Sequence, residues 1–180
     1  MKHFFSDWRA QDLVVIGVFA AASKVATLLV ALAGGGMNPV SLMGKNLIFT
    51  MLLVVMLFRV DRPGTLLLFT IINSIVSMLL LGASVTLLPP MLAAGLAGEL
   101  AMLCGRGTKR VWNKVLGAAV FDIVSKGLSL GVTWLFTREN PAMLVMVVPF
   151  VGIGYLGSLG GLFTGVKAVR ELRHAGIIRQ

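Results

Sequence analysis

Five ionisable side chains fall inside runs that are otherwise apolar: Lys24, Glu99, Asp122, Lys126 and, at the margin of a run, Lys45. A charge held at the centre of a lipid-embedded helix costs about 2.5–3.5 kcal/mol on the insertion scale, so each of these intramembrane polar groups is expected to face protein or water. Asp122 and Lys126 are four residues apart, one turn apart on a single helical face. Two chemistries suit that spacing: a self-neutralising pair that lets the helix insert, or a polar pocket wall or proton relay. Glu99 stands near the end of its run, within reach of the basic loop that follows. Lys24 has no local partner. It either meets Asp122 across helices or snorkels along its own stem.

Other reactive constellations are missing from the sequence. There is no G-x-S-x-G elbow, no P-loop and no H-E-x-x-H, so nothing points to catalysis and the chain is read as a non-enzyme. Cys104 is the single cysteine, and His3 and His174 stand at opposite ends, so no metal set is expected. The ten Met residues fall singly, as helix filler rather than a copper path. A second set of polar and aromatic residues gathers around the expected outer face: Asn38, Lys45, Asn46, Trp134, Arg138, Asn140 and, deeper, Tyr155. Aromatic walls with a few polar groups suit a small ligand, and interfacial anchoring is the other reading of Trp134.

The elements that must position these groups are membrane helices. The 180 residues are 57% hydrophobic and 13% charged, too few charges to cover a water-soluble globule of this size. Apolar stretches long enough, or nearly so, to cross a bilayer run over about 13–33, 46–60, 65–87, 90–104, 116–136 and 143–166. The expected fold is therefore an all-α integral membrane protein, a compact bundle of six transmembrane helices forming one domain over 1–180. Twelve of the 16 basic residues fall in the N-terminus, the second–third turn, the fourth–fifth loop and the C-terminus, which puts both termini in the cytoplasm. The net charge of +9 is thus a topology signal, and nucleic acid is not an expected partner. Ala31-Leu32-Ala33 imitates a signal-peptide cleavage site, but the preceding run is long and holds Lys24, so it reads as a retained first helix.

Small residues form a further pattern. The first helix offers Gly17-x-x-x-Ala21 and Ala22-x-x-x-Ala26, spacings that let two helix backbones touch, and the sixth carries Gly152, Gly154, Gly157, Gly160, Gly161 and Gly165.

With six spans, two cytoplasmic ends, the run from Asp12 to Ala22, Gly95-Leu-Ala-Gly-Glu99 and the run from Gly157 to Gly165, the chain resembles the substrate-binding S components of energy-coupling factor (ECF) transporters. Its tail, Arg173-His174-Ala175-Gly176-Ile177, is similar in shortened form to the ending of the Trep_Strep or MptD-like branch. The resemblance implies a prokaryotic cell-membrane protein that captures a vitamin, vitamin precursor or similar micronutrient outside. It then docks on a transmembrane coupling subunit driven by two ATPase subunits. This chain would bind no cofactor of its own, ATP and Mg being used by the partners. The family's small-residue docking motif maps onto Gly17 and Ala21 or onto Ala22 and Ala26. Its pocket maps onto Asn38, Lys45, Asn46, Trp134, Arg138, Asn140 and Tyr155. Metal-binding S components carry His at the second position, where this chain has Lys2, so cobalt and nickel are not expected. Lys45 and Arg138, the outer basic residues, point to a ligand with a carboxylate or phosphate. The rival readings are a stand-alone small transporter or channel using Lys24, Asp122 and Lys126, and a membrane enzyme or assembly factor.

Overall fold

A computed structural model describes residues 8–35, 38–81, 86, 88–104, 111–136 and 141–176. They form six helices: α1 (Ala10–Ala33), α2 (Pro39–Arg59), α3 (Thr65–Leu81), α4 (Leu88–Cys104), α5 (Val111–Phe136) and α6 (Pro141–His174). Four of them, α1, α2, α5 and α6, are long and apolar enough to cross a membrane, while α3 and α4 are shorter apolar helices of 17 residues each.

Local chemistry sets the helix ends. Asn38 caps α2: its side-chain oxygen accepts from the Ser41 N–H at 2.7 Å, and Ser41 Oγ accepts from the Asn38 N–H at 3.2 Å. Pro39 then occupies the first helical position, where a missing N–H costs nothing. The cap starts α2 well before residue 46, so the helix is 21 residues long rather than the marginal stretch its hydropathy indicates. Lys45 and Asn46, expected at the margin of the second run, accordingly lie well within α2. Between α2 and α3, Gly64 takes the left-handed conformation (φ +87°) that glycine reaches without strain, and the Thr65 hydroxyl donates to the Arg62 carbonyl at 2.7 Å.

Glu99 has a defined task at that same turn. Its carboxylate accepts from the Gly64 N–H at 2.5 Å and from the Leu66 N–H at 3.1 Å, so a buried side chain of α4 closes the N-terminus of α3. An anion there satisfies donors the helix cannot satisfy itself and meets the positive end of its dipole. The basic loop that Glu99 was expected to meet, with Arg106, Lys109 and Arg110, lies outside the described residues.

Neighbouring helices touch in the ring order α1–α2–α6–α5–α4–α3 and back to α1, and α2 also reaches across to α5. Ile16, Leu53, Met56, Leu66, Phe69, Met102 and Phe121 fill the middle, with Phe49 tilted against Phe69 and Phe121 at ring-centre distances of 6.1 and 6.4 Å. Glycines bring the helices close. A methyl group added at Gly157 would lie 2.3 Å from the Met43 carbonyl oxygen, and one at Gly161 would lie 2.6 Å from that of Leu47, so α6 rides on the backbone of α2. Gly98 and Gly117 make the equivalent close approach between α4 and α5.

Charged side chains gather at the end of the bundle where α1 begins and α2 ends. Arg62 pairs with Asp12 at 3.4 Å and Lys114 with Asp61 at 3.1 Å. The Lys114 ammonium and the Arg173 guanidinium lie 4.8 and 5.6 Å from the centre of the Phe58 ring.

Candidate functional site

The opposite end of the bundle, where α2 and α6 begin and α5 finishes, opens into a cleft of about 470 Å³. Leu42 and Asn46 of α2, Lys126 of α5 and Val147, Phe150, Val151 and Gly154 of α6 line it. The size lies within the range of small-molecule pockets. Asn46 donates through Nδ2 to the Leu42 carbonyl at 2.8 Å, and it packs so closely on Gly154 that a Cβ there would sit 2.9 Å from the amide nitrogen. Pro149 stands in the α6 wall, where its ring removes one helical N–H.

Lys126 supplies the charged edge of the cleft. Its ammonium donates to both oxygens of Asp122, at 2.8 and 2.6 Å, and to Ser158 Oγ at 2.5 Å. The Ser158 hydroxyl in turn donates to Asp122 at 2.9 Å. Asp122 and Ser158 are buried, and the Tyr155 ring centre lies 5.5 Å from the ammonium. The three groups form a net-neutral cluster whose donors are satisfied within it, tying α5 to α6 at the floor of the cleft.

The sequence-nominated residues divide clearly. Asn46 lines the cleft and Tyr155 stands against its floor. Asn38 is committed to the α2 cap, its Oδ1 held by the Ser41 N–H and its Nδ2 donating to the Gly34 carbonyl. Lys45 is half-buried beside Asn46 on α2, and Trp134 is exposed near the end of α5. Arg138 and Asn140 lie outside the described residues. Lys126, read from the sequence as half of a self-neutralising pair or of a polar pocket wall or proton relay, is the residue that joins the pair to the cleft. Lys24 is half-buried on α1; the Asp122 carboxylate, the alternative to snorkelling among its two expected fates, is engaged by Lys126 and Ser158.

A family model described as "Hypothetical bacterial integral membrane protein (Trep_Strep)" matches residues 10–146. The chain belongs to this family. The match runs from the start of α1 into α6 and stops short of the His174 tail, so the family relation rests on the helical body. A crystal structure of an S-component of an ECF transporter shares the Trep_Strep chain's fold, with a TM-score of 0.62 and 20% identity over 95% of this chain and 88% of that one. No curated protein sequence matches.

The two small-residue stripes of the Trep_Strep protein have different fates. On α6, Gly154, Gly157, Gly161 and Gly165 are covered by α2. On α1, Ile16, Ala20 and Ser23 face the core, Ala21 and Ala22 are exposed, and Gly17 and Ala26 lie at the edges. A Cβ at Gly17 would meet nothing within 4 Å. Among the described residues, the α1 stripe is therefore unused inside the bundle.

One polar feature escaped the reading of the sequence. Thr70, Asn73, Ser74 and Ser77 make a buried stripe along α3, in which the Thr70 and Ser77 hydroxyls donate back to the Leu66 and Asn73 carbonyls, each at 2.7 Å. Their spacing of three and four residues was the available signal, a polar helical face inside an apolar run.

Proposed function

We propose that this Trep_Strep protein is the substrate-binding S component of an ECF-type importer. The observation that carries the reading is the likeness of fold to an ECF S-component over nearly the whole of both chains. In this reading all six helices embed in the prokaryotic cell membrane, both termini are cytoplasmic, and the cleft opens outward. The charged cluster of Asp12, Arg62, Asp61, Lys114 and Arg173 then lies on the cytoplasmic side, as the distribution of basic residues requires.

The ligand is a vitamin, vitamin precursor or similar micronutrient. Its apolar body rests against Val147, Phe150 and Val151, and a polar group meets the free acceptor side of the Asn46 amide. Because Asp122 neutralises Lys126, the floor of the cleft selects for fit rather than for charge. An acidic group on the ligand would instead be met by the outer basic residues, Lys45 and Arg138. The chain has a binding task and no catalytic one. Transport is driven by ATP and Mg on two partner ATPases acting through a transmembrane coupling subunit, against which α1 docks by Gly17, Ala21, Ala22 and Ala26. The small side chains give close contact without burying a charge.

The test is direct. Protein purified in mild detergent is extracted with organic solvent, and the released small molecules are identified by mass spectrometry. Wild type is expected to release a compound that Asn46→Leu releases at least about tenfold less, the loss of one good polar contact to a ligand. Equal release from both proteins would remove the cleft assignment. With the released compound in hand, unchanged affinity in both Lys45→Ala and Arg138→Ala would exclude an acidic group as the recognised feature.

A further inference from the structure

At the charged end of the molecule, away from the cleft, a second and larger groove of about 580 Å³ runs between the start of α5 and the end of α6. Val115, Leu162 and Val166 form its floor. Trp112 and Phe163 stand beside it, 79% and 80% exposed, more than most of the large apolar side chains of the bundle. Lys167 and Arg170 close one end, with Glu171 next to them. A narrower groove continues past Val166 and Arg170 to Arg173 and Phe58. Among the described residues, neither Lys167 nor Arg170 is in a salt bridge, and Arg173 has its guanidinium over the Phe58 ring instead. Three cations against the one Glu171 carboxylate leave the rim with two positive charges.

We propose that this groove is a binding site for an anionic phospholipid. The gradient along α6 is that of a single amphiphile. Phe163 and Arg170 are seven residues apart, about 10 Å along the helix axis, so one molecule can lay an acyl chain on Phe163 and Leu162 and present its phosphate to Lys167 and Arg170. Trp112 stands at the level where an aromatic ring bridges chain and headgroup. A neutral lipid would leave the cations without counter-charge, whereas basic pockets between membrane helices suit phosphate headgroups. A protein segment would place polar backbone against the apolar floor, where the groove offers it no hydrogen-bond partner. The site depends only on the chain's membrane location and not on transport.

Native mass spectrometry of the detergent-purified full-length protein, titrated with phosphatidylglycerol or with phosphatidylcholine of the same acyl chains, tests this. Wild type is expected to retain one phosphatidylglycerol in clear preference to phosphatidylcholine, and Lys167→Ala/Arg170→Ala to lose about tenfold in that preference. The thermal midpoint of the double variant should match wild type, because among the described residues neither side chain is in a salt bridge. As a measurement that needs no charge variant, brominated phosphatidylglycerol should quench wild-type tryptophan emission saturably, and Trp112→Phe should remove the saturable part. Equal retention of the two lipids, an undiminished preference in the double variant, or quenching that persists without Trp112 would each overturn the proposal. So would a double variant that keeps its lipid but loses a co-purifying protein, since the groove would then be a protein interface.

Discussion

Asp122, Lys126 and Ser158 set the polar chemistry of the bundle. A buried ion pair contributes little net stability, but removing one partner leaves the other charge uncompensated and costs about 3–5 kcal/mol. Asp122→Asn should therefore lower the thermal midpoint in detergent strongly. The double variant Asp122→Leu/Lys126→Leu should lower it by less than Asp122→Leu alone. A double-mutant cycle without coupling would show that the two groups do not act as a pair. Two of the three members of this cluster were legible in the sequence, because four-residue spacing on a helix places Asp122 and Lys126 on one face. Ser158 was not legible: it stands 32 residues from Lys126 among glycines, and only the docking of α5 on α6 brings it within reach. Asn46 illustrates the same limit. Its type marked it as a ligand contact, but its place in the cleft depends on Gly154 admitting it.

Helices in this protein are positioned by small residues and by one borrowed cap. Gly157→Ala would drive a methyl into the Met43 backbone, which cannot move aside as a side chain can. It should destabilise by about 1–3 kcal/mol, the usual cost of overpacking, while Gly17→Ala should be close to neutral because space is open there. Thermal unfolding of the two variants side by side checks both; equal losses would contradict the α2–α6 packing. Glu99→Ala, which removes the carboxylate from the Gly64 and Leu66 N–H groups, should cost about 1–2 kcal/mol, the range for a lost helix cap. Both small-residue stripes were visible in the sequence, and their spacing is nearly equivalent. Which of them is consumed internally is a property of the fold, since α2 covers α6 and, among the described residues, nothing packs on Gly17 of α1. The start of α2 was hidden because hydropathy does not register a cap: Asn38 and Pro39 begin the helix before the apolar run does.

For the whole molecule, the ring of six helices places a cleft at one end, a concentration of basic side chains at the other, and a small-residue stripe on the flank. The helical class and the number of helices followed from composition and from the lengths of the apolar runs, whereas the ring order required contacts that no local pattern encodes. If the chain is a binding subunit, the stripe on α1 leads to a separable prediction. Gly17→Trp and Ala22→Trp should leave fold and ligand release unchanged and block assembly with partner subunits; normal assembly of both variants would remove the docking assignment. The most direct measurement is a mild-detergent pull-down of the tagged protein from its native membranes, with partners identified by mass spectrometry. An S component should bring down two ATPases and one large membrane subunit. Recovery of the protein alone, from a preparation in which other membrane complexes stay intact, would contradict the proposal and favour a solitary transporter.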